Sequence, residues 1–188
     1  MNQLIPDILK AFAPFTDYEI ETAEPFLRTV SIKKGSFFSK AGMITDRVGF
    51  VSQGLLRSFY TIKDKETTTY FLQVGSFAAA LLSFLQMKPA VENIQALEDS
   101  ELIVISRKDL FKLYDENWKW QQVGRVLIEN YYVIMEQRSI GLQSLSAQER
   151  YAIFLKEFPD VIKSVPLHQI ASFLGITPET LSRIRSQN

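Results

Sequence analysis

Apolar positions follow two rhythms along this chain. Between about residues 26 and 106 they come in short runs rich in β-branched and aromatic residues: 26–32, 37–39, 48–52, 55–62, 67–72, 93–96 and 101–105. Lys34-Gly35, Ala41-Gly42, Gln53-Gly54, Lys63-Asp64-Lys65 and Val74-Gly75 separate them. Many short strands at such spacing predict an antiparallel sandwich or roll. An alanine- and leucine-rich stretch, 78–86, reads as a short helix inside it. On either side the spacing changes to three and four. Leu4, Ile8, Leu9 and Phe12 share a helical face, and Thr16-Asp17-Tyr18-Glu19 resembles a capping box opening a second helix.

The stretch 108–144 lacks proline and holds only Gly124 and Gly141, so it predicts one long helix. Val123, Leu127, Tyr131 and Ile134 make one apolar stripe, and Ile128, Tyr132 and Met135 make a second beside it. A helix with two apolar faces must bury both. It either lies deep in one core or packs one face on the strand-rich block and the other on a second copy. The dimer interface is expected on Val123, Leu127, Tyr131 and Ile134.

Ser146-Ala147-Gln148-Glu149 resembles another capping box, starting a helix that runs through Leu155 and stops at Phe158-Pro159. Beyond it, Ile170, Ala171, Phe173 and Leu174 form the inner face of a helix that Gly175 ends, because glycine enters the left-handed region without a Cβ clash. Thr177 suits the N-cap of a following helix and Pro178 its first position. Leu181 and Ile184 turn inward. This is a helix-turn-helix pattern, whose second helix enters the DNA major groove when the motif binds DNA. The same pattern also fits a plain corner between two packed helices. Residues 146–188 hold five basic and four acidic side chains, a net +1, so bulk charge does not decide between them.

Composition narrows the rest. Lys+Arg and Asp+Glu are 21 each, and hydrophobic residues are 46% of 188, which indicates a globular chain without a basic tail. There is no cysteine and one histidine, His168. Disulfides, cysteine zinc sites and cysteine-held clusters are excluded, and no metal or cofactor is expected. Nucleophilic triads lack their parts, so an enzyme is not expected. No signal peptide or membrane span is evident, which gives a cytoplasmic expectation.

The order of parts resembles the cyclic-AMP receptor protein and fumarate–nitrate regulator (Crp/Fnr) family of bacterial transcription factors. Lys33-Lys34-Gly35-Ser36, Val51-Ser52-Gln53-Gly54-Leu55-Leu56-Arg57, Val74-Gly75-Ser76-Phe77 and Leu97-Glu98-Asp99-Ser100-Glu101-Leu102 are similar to its β-roll turns and last strand. Residues 176–185 are similar to its recognition helix. The resemblance implies an α+β chain with a double-stranded β-helix (jelly-roll) sensor over 1–107, a dimerisation helix over 108–144 and a helix-turn-helix domain over 145–188. It also implies a homodimer on a palindromic DNA operator, with RNA polymerase as a further partner. Since the sequence ends at Asn188, no wing after the recognition helix is expected.

Cyclic-nucleotide binders of this family hold the phosphate with a Gly-Glu pair and an Arg-Ser pair. Counting on from Gly75, those positions carry Ala79 and Ala80, and Ala90 and Val91. The arginine fork and hydroxyl that a cyclic phosphate needs are gone. The expected effector is therefore an unknown small molecule other than cyclic AMP or GMP, or none. Its pocket is expected on Ala79, Ala80, Ala90, Val91, Tyr131, Tyr132 and Met135. The family's Arg-Glu-Thr-x-x-Arg pattern appears as 178–183 with Pro178 in place of the first arginine. DNA contacts are expected from His168, Thr177, Glu179, Thr180, Ser182, Arg183 and Arg185. Glu179 can accept from cytosine and Arg183 can bridge guanine O6 and N7. Alternatively the two form a surface ion pair, and His168 is either a phosphate contact or an ordinary exposed residue. The competing reading is a small-molecule-binding or interaction module with a vestigial helix-turn-helix.

Overall fold

A computed structural model describes residues 4–186. Helices α1 (Leu4–Phe12) and α2 (Asp17–Ala23) lead through a short 3-10 turn into eight strands. These are β1 (Leu27–Ile32), β2 (Phe37–Ser39), β3 (Arg47–Gln53), β4 (Leu56–Ile62), β5 (Lys65–Leu72), β6 (Phe77–Ala78), β7 (Glu92–Ala96) and β8 (Ser100–Ser106), with helix α3 (Leu81–Gln86) between β6 and β7. They form two antiparallel four-stranded sheets, ordered β1-β8-β3-β6 and β2-β7-β4-β5. Ile32, Phe38, Val51, Leu56, Leu72, Ile94, Leu102 and Val104 fill the space between the sheets. This is the expected jelly roll.

The β4–β5 hairpin turns on Lys63 and Asp64, both at positive φ (49° and 61°), with Ile62 opposite Lys65. Two left-handed residues in a two-residue loop match the right-handed twist of the paired strands. Two expectations need correction. Phe77 and Ala78 pair with Phe50 and Gly49 as strand β6, so the helix after them starts at Leu81 rather than residue 78. Residues 108–144 are two helices rather than one: α4 (Arg107–Glu116) and α5 (Trp118–Ser144). Asn117 breaks them. Its backbone is extended (φ −151°, ψ 121°), and its side chain accepts from the Lys119 amide to cap α5. A break here lets α4 fold back on α5, and Gly124 sits where a Cβ would strike Tyr114. Ile5, Leu9, Phe15, Ile20, Leu110, Leu113, Trp120 and Val123 pack together over Val48, Ile103 and Ile105.

After α5 come α6 (Ala147–Glu157), α7 (Val161–Ser164), α8 (Leu167–Leu174) and α9 (Pro178–Ser186). Both expected capping boxes form, at Thr16/Glu19 and Ser146/Glu149. The helical block does not close its core alone. Phe71 of β5 and Leu55 are buried among Phe154, Phe158, Ile170, Phe173 and Leu181. Phe71 meets Phe154, Phe158 and Phe173 at ring-centroid distances of 6.0, 5.9 and 5.4 Å. The β-roll and the helix-turn-helix thus share one aromatic cluster.

Candidate operator-reading helix and sensor cavity

The turn between α8 and α9 follows from two local interactions. Gly175 takes a left-handed conformation (φ 67°, ψ 33°), and the Ile176 amide returns to the Ala171 carbonyl at 3.0 Å. That is a Schellman-type C-cap. The Thr177 hydroxyl then accepts the Thr180 amide at 3.2 Å, capping α9. Ile170, Ala171, Leu174, Leu181 and Ile184 are buried, which fixes the angle between the two helices.

With that inner face buried, Glu179, Ser182, Arg183 and Arg185 lie in solvent on α9, with Thr177 exposed at its start. Thr180 is half-buried. His168 is exposed in the first turn of α8. The Arg183 guanidinium reaches the Thr180 hydroxyl at 3.4 Å, and no Glu179–Arg183 bridge occurs among the described residues. The Glu179 carboxyl is held below its ordinary range by its own backbone N–H, the Thr177 hydroxyl and, least, the Arg183 charge. It is therefore an anion in the first helical turn, where the dipole favours one.

The expected effector set divides. Ala79, Tyr131 and Met135 line one cavity of about 370 Å³ between the β-roll and α5. Ala80 and Ala90 are buried in the jelly-roll core instead. Val91 and Tyr132 point outward, 54% and 62% exposed. The set divides because alternate residues of an extended segment face opposite ways.

The cavity's chemistry comes largely from residues not anticipated. Phe50, Phe77, Leu127 and Ile134 give it apolar walls, while Ser58, Tyr60, Glu92, Asn130 and Arg138 bring polar atoms. Tyr60 on β4 lies opposite Glu92 on β7, and the Ser58 hydroxyl donates to Glu92 Oε2 at 2.6 Å. Burial raises the Glu92 carboxyl above its ordinary range, and the Ser58 hydrogen bond offsets part of this. Both strands carry several polar residues, β4 also Arg57 and Thr61 and β7 also Asn93 and Gln95, so nothing in the sequence singled out Ser58 and Glu92.

Arg138, also missed, joins three elements. Its Nη2 donates to the Thr68 carbonyl on β5 (3.2 Å) and the Phe173 carbonyl on α8 (2.8 Å), and its guanidinium lies 4.1 Å from the Phe173 ring centroid. Burial, then the neighbouring Arg150, lower its pKa to about 10, so it stays a cation at neutral pH.

The expected dimer residues turn inward. Val123 is 5% exposed in the chain's own core, Leu127 packs against that core, and Ile134 lines the cavity. Tyr131 is at the cavity rim, 37% exposed. The first stripe of α5 therefore covers the β-roll. The second stripe divides: Met135 turns into the cavity, while Ile128 and Tyr132 stay exposed and continue through Ser139 to Leu142 along the outer side of α5.

Among the described residues no helix is long and apolar enough to cross a membrane, and no group of His, Asp or Glu is placed to hold a metal ion. Residues 29–117 match the family model of the cyclic nucleotide-binding domain. No curated protein sequence matches the chain. Among solved structures, FixK2 from Bradyrhizobium japonicum is similar with a TM-score of 0.75 and 20% identity, over 86% of this chain and 83% of that one. The catabolite activator protein of Thermus thermophilus is similar with a TM-score of 0.60 and 20% identity, over 96% and 85%. A Eubacterium rectale protein assigned to the Crp/Fnr transcriptional regulators gives 0.70 and 19%, over 92% and 83%.

Proposed function

For a chain whose residues 29–117 match the cyclic nucleotide-binding domain family and whose fold is similar to that of Crp/Fnr regulators, we propose a DNA-binding transcription regulator acting as a homodimer. The observation that carries this reading is the polar face of α9. Glu179, Ser182, Arg183 and Arg185 stand in solvent on a helix fixed from behind by Leu181 and Ile184. A helix that served only as a packing corner would have no need of a guanidinium and a carboxylate at major-groove reading positions. Arg183 and Glu179 read bases, while Thr177 and His168 contact phosphates.

Two copies pair through the outer stripe of α5. Ile128, Tyr132 and Leu142 are 40%, 62% and 43% exposed, at the spacing of a coiled-coil seam. Two-fold pairing makes the operator a palindrome with half-sites about one helical turn apart. The relatives named above support this role, and a cytoplasmic location follows from it. The effector is not a cyclic nucleotide, because Ala80 cannot replace a glutamate carboxylate and Ala90 cannot replace an arginine fork.

Selection of duplexes from a random pool by the purified protein tests the reading. The expected result is an enriched palindrome. A pool with no enriched sequence, with or without cell-extract metabolites, would overturn the regulator assignment in favour of a ligand-binding module.

A further inference from the structure

The cavity between the β-roll and α5 contains a carboxylate, Glu92, with no basic partner among the described residues. Ser58 is the one hydrogen-bond donor to Glu92 among the described residues, and it occupies Oε2. A half-buried carboxylate with one neutral donor is incompletely compensated. Its neighbours are aromatic. Tyr60 is the cross-strand partner of Glu92, and Tyr131 faces both from α5. Burial first, and the Glu92 charge second, raise the hydroxyl pKa of each tyrosine, so both remain neutral phenols beside the carboxylate.

Among the described residues, the one cation lining this cavity is engaged elsewhere. Arg138 lines the same cavity, but its Nη2 serves the carbonyls of Thr68 and Phe173 and its face lies on Phe173. The space left is walled by Phe50, Phe77, Leu127 and Ile134. A carboxylate flanked by aromatic faces attracts organic cations twice, by ion pairing and by the ring quadrupoles. It repels a phosphate or carboxylate ligand.

We propose that this cavity binds an organic cation, an ammonium or amidinium group on an apolar body, with Glu92 as counter-ion and Tyr60 and Tyr131 as aromatic walls. The proposal rests on reading the β-roll as a sensor. It replaces the phosphate chemistry expected of the fold with chemistry of the opposite charge. The apolar body lies against Phe50 and Phe77, and the cationic end reaches the free oxygen of Glu92.

Calorimetric titration of the full chain, without DNA, tests it. The probes are 2-phenylethylamine, tryptamine and benzamidine, compared with neutral 2-phenylethanol and anionic 3-phenylpropionate. At least one of the three cations is expected to bind about ten-fold or more tightly than the alcohol, the cost of losing one charged hydrogen bond, and the acid not at all. Glu92→Gln keeps the size and the Ser58 contact, so it should lose that preference while melting no lower than wild type. Should this variant misfold, the wild-type comparison of cation, alcohol and acid decides alone. No binding by any of the three cations up to about 1 mM, an affinity near 4 kcal/mol, would overturn the proposal. So would equal binding of alcohol or acid, or a preference kept by Glu92→Gln. Operator selection is a separate experiment, so the two readings fail separately.

Discussion

The Ser172 hydroxyl on α8 accepts the Thr68 amide hydrogen of β5 at 3.0 Å and donates to the Glu66 carbonyl at 3.1 Å. β5 is the outermost strand of its sheet, and an open edge exposes unpaired backbone groups. One serine from the first helix of the helix-turn-helix covers that edge, and Arg138 clamps the same junction from α5. The orientation of α9 is therefore tied to the β-roll and to α5 together.

Ser172→Ala is expected to leave the Thr68 amide without its partner and to cost about 1–3 kcal/mol. Chemical denaturation gives the total. Hydrogen exchange should place the loss at Thr68, with little change in the β1–β8 pairing. Unchanged exchange at Thr68 would show that the edge is covered without Ser172.

Arg183→Ala is expected to weaken the selected operator by about 1–3 kcal/mol and scrambled DNA far less. The helix-turn-helix region carries a net charge of only +1, so few phosphates are neutralised and the salt slope should be shallow. Binding to both duplexes across a salt series checks this. Equal losses on the two would remove Arg183 from base readout.

The two stripes of α5 make opposite forecasts. Ile128→Glu puts a charge into the outer seam and should convert dimer to monomer in sedimentation with little loss of monomer stability. Val123→Ala empties space in the chain's own core and should cost about 1–3 kcal/mol of unfolding free energy with the dimer retained. A dimer that survives Ile128→Glu would place the interface elsewhere.

Cyclic AMP and cyclic GMP are expected to give no heat of binding up to about 1 mM. Ala80 and Ala90 lie in the core, Val91 points outward, and Glu92 adds a negative charge to the cavity. Low-micromolar binding of either nucleotide would contradict this account of the pocket.

Acid should loosen the packing of α2 on α5. Lys119 foremost, then the Thr16 cap and finally Asn117, lower the Glu19 pKa from 4.5 to about 2, against an opposing burial effect. A carboxyl depressed in the folded state stabilises it fully above pH 4.5 and loses that contribution as pH falls towards 2. Thermal melts of wild type should therefore fall across that window, and melts of Glu19→Gln should fall less. Parallel melting curves would show that the Glu19–Lys119 pair is not linked to folding.

What the sequence by itself determined is local in character. The caps at Thr16, Ser146 and Thr177 and the left-handed Gly175 depend on residues three or four apart, so composition and spacing were enough to place them. The strands were legible because β-branched runs alternate with turn residues. The tertiary structure decided what spacing leaves open. Two apolar stripes on α5 are equivalent until the β-roll covers one, and it covers Val123 and Leu127 rather than Ile128 and Tyr132. Asn117 reads as an ordinary helix residue until its side chain is seen capping α5. Glu92, Ser58 and Tyr131 come from three separate elements, and Ser172 meets Thr68 across 104 positions. Such pairings arise only when the whole core forms, because no residue nearby in sequence competes for or announces them.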